Sequence, residues 1–304
     1  MTADAAGRGN SAEGKGGGLF ESLRLFLRMV KFEHTIFGLP FVFMGAVLAA
    51  EGLPTAYAAF WIVMAAVGAR NFAMTLNRFA DRDIDPHNPR TQDRAEFRGL
   101  LGSGRIWAML IFFAGLFVFS AWMLNSLAFS LSFAVLAAVV FYSYSKRFTS
   151  LTHLFLGFVL GAAPAGAWVA VRGDLGEVPI LLFAGVTLWV GGFDLIYACL
   201  DVDFDESQNL FSAPRLLGVR GALVLSAAAH AGTVLCFYLA GRSAGLGGLY
   251  WLGLSAAAAL LVWEHWVVRP DDLSRVDLSF FNINAWVSVI VSAGALADVF
   301  LAGS

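Results

Sequence analysis

The sequence predicts an all-α protein, a polytopic membrane bundle of nine transmembrane helices. Of its 304 residues, 59% are hydrophobic and 14% are charged, whereas about 25% of the residues in a typical soluble domain are charged. This composition cannot cover a water-exposed surface, so it excludes a soluble enzyme, a disordered chain and a nucleic-acid-binding protein. The two cysteines, Cys199 and Cys236, lie inside apolar runs and by themselves predict neither a zinc site nor a disulfide framework.

The nine predicted spans are apolar runs of about 20 residues, the length that crosses a hydrocarbon core of about 30 Å. They extend over 33–50, 56–80, 105–124, 127–145, 152–172, 179–200, 217–240, 246–268 and 279–301. Residues 20–31 are amphipathic, which favours a helix at the membrane interface, although they could simply begin the first span. Residues 1–19 are expected to be a flexible cytoplasmic tail, and residues 20–304 to form one helical domain.

The distribution of basic residues predicts that the amino end is cytoplasmic. With nine spans, 17 of the 20 Lys and Arg residues fall in segments on one face, and such an excess marks the cytoplasmic loops of membrane proteins. Arg172 and Arg242 lie on the other face, and Arg70 lies within a span. We therefore expect an integral membrane protein.

A first stripe of polar residues lies at the end of the second predicted span. Asn77, Asp81 and Asp85 follow one another at a spacing of four residues, which predicts that all three lie on one helix face. Arg70, seven residues before Asn77, shares that face. Neighbouring carboxylates repel each other, and near a membrane their charge is costly unless a cation compensates it.

A second stripe ends the sixth span, where Asp194, Asp201 and Asp205 are spaced by seven and four residues with Tyr197 alongside. Two carboxylate stripes on separate helices call for a shared cation, and Mg²⁺ suits such oxygen ligands and substrate phosphates. Ordinary solvated charges neutralised by nearby arginines are the alternative, but two stripes on the same face disfavour it. Basic residues beside the stripes favour an anionic ligand; they are Arg90, Arg94, Lys146 and Arg147.

Together these motifs resemble those of the UbiA superfamily of intramembrane prenyltransferases. The first stripe matches the NxxxDxxxD pattern of that superfamily, and the second matches DxxYAxxDxxxD. The YSxxKRxT element is present at 142–149, and NPRT at 88–91 resembles the superfamily's loop. The resemblance covers nearly the whole chain. It implies a helical bundle around a central cavity that opens sideways to membrane lipid. With it we expect a protein of the bacterial inner membrane whose active site faces the cytoplasm.

The resemblance also implies the chemistry. An isoprenyl diphosphate would be bound through Mg²⁺, its allylic C–O bond would ionise, and an aromatic acceptor would attack the carbocation away from water. The implied metal ligands are Asn77, Asp81, Asp85, Asp201 and Asp205. The implied catalytic carboxylates are Asp81, Asp194 and Asp201. The implied substrate-binding residues are His34, Arg70, Asn77, Arg90, Arg94, Tyr142, Lys146, Arg147 and Tyr197, the two tyrosines being candidates to face the cation.

The acceptor is predicted from the first span, which begins with KFEHTIFGLPF. This segment resembles the menaquinone-pathway subgroup, which prenylates a dihydroxynaphthoate, and the segments GARNFAMTLNR and FFNIN resemble the same subgroup. His34 would contact the acceptor or would be an ordinary histidine near the interface. 4-Hydroxybenzoate, the acceptor in ubiquinone synthesis, is the close alternative.

An ion-coupled transporter is the alternative from another class, because intramembrane aspartates and arginines also occur in carriers. Carriers often place their sites near the bilayer midplane, whereas these carboxylates end their spans beside basic loops. A metal–phosphate site is therefore favoured. His230 in the seventh span, and Glu264 with His265 in the eighth, are expected to pack or to make helix–helix hydrogen bonds.

Overall fold

The computed structural model describes residues 35–88, 91 and 103–301. In this part of the chain there are nine helices of 16 residues or more and no β-strand. Their bounds are α1 Thr35–Ala50, α2 Ala56–Ala80, α3 Ser103–Leu124, α4 Ser126–Ser145, α5 Thr152–Arg172, α6 Glu177–Ala198, α7 Ala213–Ser243, α8 Gly248–Val267 and α9 Asn284–Leu301. Short helical segments adjoin them at Asp85–His87, Cys199–Asp201, Val202–Ser207 and Leu278–Ile283.

Within the described ranges, seven segments are long and apolar enough to cross a membrane, which confirms the predicted all-helical membrane protein. They include α2 to α7 and the segment Leu278–Leu301, which contains α9. The apolar part of α1 is shorter, and α8 carries Glu264 and His265 near its end, so the count of nine spans stays a prediction. The predicted tail and interfacial helix lie outside the described residues.

Contacts between helix ends show that successive helices run in alternating directions. At one end of the bundle the backbone N–H of Phe211, just before α7, donates to the carbonyl of Lys146, just after α4. At the other end Arg172 of α5 lies 3.3 Å from Glu51, which follows α1. All the sequence-predicted carboxylates that the structure describes belong to the first of these two ends.

The largest apolar core lies between α1, α6, α7, α8 and α9. Phe41 of α1 contacts Trp189 of α6 edge-to-face, with ring centroids 5.3 Å apart, and also packs on Phe237 of α7. Helix α1 contacts α5 as well as α9, while α2, α3 and α4 pack in sequence beside α5. A layer of buried aromatic side chains in the interior of the bundle therefore supports its polar end.

Helices α5 and α6 approach each other so closely that side chains are excluded between them. A Cβ atom on Gly157 would lie 2.1 Å from the backbone oxygen of Thr187, and one on Gly161 would lie 2.6 Å from that of Phe183. Small residues permit such close backbone approach in membrane bundles. This contact fixes the start of α5 against the end of α6, which carries Asp194.

Two departures from regular helix matter at the polar end. Helix α2 ends at Ala80, so the predicted stripe Asn77–Asp81–Asp85 does not continue along one helix. Helix α7 is interrupted at Gly218, where φ is 70°, a backbone conformation that glycine adopts without steric cost. The uninterrupted part of α7 therefore begins near the predicted start of the seventh span at 217.

Candidate functional site

The first acidic segment is built by hydrogen-bonded turns that directly follow α2. Asp81 caps the helix, its backbone N–H donating to the carbonyl of Asn77 over 2.9 Å. Asp85 opens the short turn Asp85–His87, and its N–H bonds the carbonyl of Asp81. The hydroxyl of Thr91 then donates to the carbonyl of Asp85 over 3.1 Å. Both carboxylates are buried. The two N–H···O=C bonds keep the four-residue spacing of a helix beyond Ala80, and this spacing holds Asp81 and Asp85 close together.

The second acidic segment continues the path of α6 through a tighter turn. Asp194 lies within α6, Asp201 ends the turn Cys199–Asp201, and Asp205 lies on the short helix Val202–Ser207. The hydroxyl of Ser212 hydrogen-bonds Asp205. All three carboxylates are half-buried, and they remain on the side of this segment that meets the first one.

The side chains of Asn88 and Lys146 join the two acidic segments. The side-chain amide of Asn88 donates to Oδ1 of Asp201 over 3.2 Å. Nζ of Lys146 lies 2.7 Å from Oδ2 of Asp81 and within electrostatic range of Asp205. Carboxylates that are far apart in sequence therefore form one cluster with an ammonium group inside it.

Lys146 and Arg147 reach the cluster because they follow directly after α4. Arg147 donates to the carbonyl of Ala80, and its guanidinium lies 3.9 Å from Oδ1 of Asp81 and 5.3 Å from the ring centre of Tyr144. Burial raises the pKa of Asp81 above its ordinary value, and the neighbouring Lys146 opposes that shift. The arrangement can bind a multivalent cation and an anion side by side.

The remaining predicted residues lie at different depths. Arg70 and Asn77 are half-buried on α2, Arg70 lying two helical turns further from the helix end. Tyr142 is half-buried in the last turns of α4, and Tyr197 is stacked on Phe280 with ring centroids 4.1 Å apart. The three predicted substrate-binding residues that lie outside the described residues are His34, Arg90 and Arg94.

Sequence reasoning missed His153, the second residue of α5. The side chain is buried, and Nδ1 lies 2.7 Å from Oδ2 of Asp194. Nε2 is also buried, and it has no hydrogen-bond partner within the described part of the chain. A histidine at the start of a predicted span, close to the YSxxKRxT element, was the available signal.

Residues 38–286 match the model of the UbiA prenyltransferase family. This chain belongs to that family. A curated relative from Marinobacter nauticus named 4-hydroxybenzoate octaprenyltransferase is 32% identical over 256 residues, which cover 83% of this chain and 85% of the relative. The chain is thus a prenyltransferase and an integral membrane protein, as the sequence predicts.

Solved structures of other family members have the same fold. The apo structure of a UbiA homologue from Aeropyrum pernix superposes with a TM-score of 0.79 and 39% identity, covering 88% of this chain and 98% of that one. A UbiA homologue from Archaeoglobus fulgidus bound to GPP and Mg²⁺ has a TM-score of 0.61 and 18% identity, covering 90% and 99%. The second likeness supports the fold alone.

We predict that Lys146 stabilises the fold of this UbiA-family protein when divalent metal is absent. In Lys146→Met the carboxylate of Asp81, only 5% exposed, loses its ammonium partner, and leaving a buried charged group unpaired should cost about 1–3 kcal/mol. The thermal unfolding midpoint in detergent with a chelator present should fall accordingly. Lys146→Arg should retain most of the stability, and adding Asp81→Asn to Lys146→Met should restore it. An unchanged midpoint in Lys146→Met would contradict this account.

Proposed function

We propose that the protein transfers a polyprenyl group from an isoprenyl diphosphate to an aromatic carboxylate, with 4-hydroxybenzoate as the acceptor. The observation that carries the proposal is the joining of the two acidic segments through the Asn88–Asp201 hydrogen bond, with Lys146 held between them. Such a site binds a metal–diphosphate group, because it presents several oxygen ligands and a cation to one small region.

The donor set fits Mg²⁺. Carboxylate and amide oxygens are the hard ligands that this ion prefers, and it retains positions for water and substrate phosphates. The residues proposed to hold it are Asn77, Asp81, Asp85, Asp201 and Asp205. When bound, the ion supplies positive charge that stabilises the departing diphosphate.

The basic side chains of the chain complement that charge. Lys146 lies close enough to the carboxylates to contact a diphosphate bound beside them, and Arg147 is available for the diphosphate or for the acceptor's carboxylate. We assign Arg70, Arg90 and Arg94 to the same anionic groups. Tyr142 and Tyr197 are assigned to the allylic cation, because aromatic faces attract positive charge.

Asp194 is proposed as the base of the second half of the reaction. The allylic carbon–oxygen bond breaks and the electron pair leaves with the diphosphate. The acceptor's ring carbon then bonds the allylic carbon, and the ring must lose its proton to a base. Asp194 is half-buried and is held by Nδ1 of His153, so we assign His153 as the residue that positions it.

Replacement of His153 tests this assignment. The amide of Asn can replace Nδ1 as the donor to Asp194, whereas Ala cannot, so His153→Asn should retain substantially more activity than His153→Ala. We expect kcat of the Ala variant to fall by about 10- to 100-fold with little change in KM for the prenyl diphosphate. A purely structural role would lower the thermal stability of both variants in proportion to their activity. Equal losses of activity would contradict a positioning role.

Different observations favour each of the two candidate acceptors, 4-hydroxybenzoate and a dihydroxynaphthoate. The curated relatives are named for 4-hydroxybenzoate, whereas the first span, beginning KFEHTIFGLPF, favours a dihydroxynaphthoate. We give priority to hydroxybenzoate because the similarity to those relatives extends over 83% of the chain. We also propose an inner-membrane location with the site on the cytoplasmic face, from the excess of Lys and Arg on that side.

A competition between acceptors tests the proposal. Purified protein is given Mg²⁺, a labelled isoprenyl diphosphate and equal amounts of 4-hydroxybenzoate and 1,4-dihydroxy-6-naphthoate, and the products are separated by mass. We expect prenylated hydroxybenzoate to predominate. Prenylated naphthoate alone would assign the protein to menaquinone synthesis. Transfer to neither acceptor would contradict the proposed substrate class and reopen the transporter alternative.

The metal site is tested by replacing single carboxylates. Asp81→Asn and Asp201→Asn should each lower the transfer rate by about 100-fold or more, because each removes a charged ligand from the site. Asp203→Asn is the matched control, since Asp203 lies on the same short helix as Asp205 but is exposed. The rate is measured as labelled prenyl product at saturating Mg²⁺. Full activity in Asp81→Asn or Asp201→Asn would exclude the proposed ligand set.

A further inference from the structure

A second polar cluster lies within the bundle, apart from the aspartate site. It is formed by His230 of α7 with Glu264 and His265 of α8. The predicted helix–helix hydrogen bond is present, since Nδ1 of His230 lies 3.0 Å from Nε2 of His265. His230 is 2% exposed and Glu264 is 0% exposed. Two imidazoles and a carboxylate are therefore gathered inside the helical bundle.

The spacing of the ligand atoms fits a metal ion. One atom from each of the three side chains lies within 4.8 Å of the others, and Nδ1 of His230 is 3.4 Å from Oε2 of Glu264. Zinc bonds imidazole nitrogen and carboxylate oxygen at about 2.0–2.1 Å, so the ligand atoms of a tetrahedral site lie about 3.3 Å apart. The separations of 3.0 Å between the two imidazole nitrogens and 3.4 Å between His230 and Glu264 are close to those edges.

Neighbouring groups outside the cluster already hold two of the three side chains, Glu264 and His230. Oε1 of Glu264 accepts hydrogen bonds from the hydroxyl of Ser279 and the side-chain amide of Asn284, both at 2.6 Å. Nε2 of His230 lies 3.3 Å from the carbonyl of Trp189. An N–H at Nε2 directs the lone pair of Nδ1 into the cluster, and histidines that bind metals are held in this way.

One polar atom in the cluster has no hydrogen bond. Oε2 of Glu264 is buried, points towards the imidazoles, and accepts no hydrogen bond from the residues that the structure describes. A buried carboxylate oxygen without a hydrogen-bond donor is unfavourable. A cation bound between Oε2 and the two imidazole nitrogens would satisfy it.

We propose that His230, Glu264 and His265 bind one Zn²⁺, at a site separate from the aspartate cluster. Imidazole and carboxylate ligands suit zinc, whereas the all-oxygen aspartate cluster suits Mg²⁺. The bound ion links α7 to α8 and, through Ser279 and Asn284, to the segment that begins α9. The backbone contact at Trp189 also connects the site to α6, five residues before Asp194.

Zinc binding to the full-length protein tests the proposal. The protein is purified in detergent, freed of any affinity tag, treated with a chelator and then equilibrated with Zn²⁺ in the presence of excess Mg²⁺. Bound zinc is counted by mass spectrometry, and affinity is measured by competition with a chromophoric chelator. We expect about one zinc per wild-type chain. We also expect zinc to raise the thermal unfolding midpoint of the wild-type protein.

The variants distinguish this site from the aspartate cluster. His265→Gln should lose the bound zinc and the zinc-dependent rise in the unfolding midpoint. Ser279→Ala keeps all three ligands but removes a hydrogen bond to Glu264, so its zinc affinity should fall by about 10-fold or more. Asp81→Asn with Asp201→Asn is the matched control and should retain one zinc per chain.

Three results would overturn the proposal. The first is that the wild-type protein binds no zinc. The second is that the aspartate control loses its zinc, and the third is that His265→Gln and Ser279→Ala both retain it. Unfolding midpoints recorded without zinc show which variants are folded. If His265→Gln does not fold, the Ser279→Ala affinity decides the matter, because that variant changes no ligand.

Discussion

The repulsion among the carboxylates at one end of the bundle is the constraint on which the rest of the site depends. Asp81 and Asp85 follow α2, while Asp201 and Asp205 follow α6, and both segments meet beside the turn that follows α4. Lys146 reaches Asp81 over 2.7 Å from that turn. Because Coulomb interactions strengthen as water is excluded, these helix ends can converge only where a cation lies between the carboxylates. The same need for a cation makes the site suitable for a metal–diphosphate substrate.

The helix ends that carry the carboxylates can meet only if they are held rigidly. Contacts between the helices in the interior of the bundle provide this support. Helices α5 and α6 are in backbone contact at Gly157 and Gly161, and this contact sets His153 of α5 against Asp194 of α6. Buried rings, including Trp189 and Phe41, fill the space below. The polar groups are thus held by apolar packing in a geometry that side-chain attraction alone would not maintain.

Helix α6 connects the two polar regions of the molecule. Near its end lies Asp194, which is held by His153 beside the aspartate cluster, and its middle carries Trp189, whose carbonyl lies 3.3 Å from Nε2 of His230. The two regions differ in chemistry, because one offers oxygen donors near the membrane surface and the other offers imidazole within the bundle. We propose different metal ions for the two regions, because hard ions prefer oxygen donors whereas borderline ions also bind imidazole.

The sequence by itself determined the helices and the two acidic motifs. The predicted spans 56–80 and 152–172 coincide with α2 and α5, because long apolar runs must form helices to satisfy their backbone in a membrane. Only the tertiary structure decided how the motifs meet. Helix α2 ends at Ala80, so Asp85 lies in the turn that follows it. The pairs His153–Asp194 and Asn88–Asp201 join residues 41 and 113 positions apart. Local periodicity carries no information on such separations, because they depend on which helices pack together.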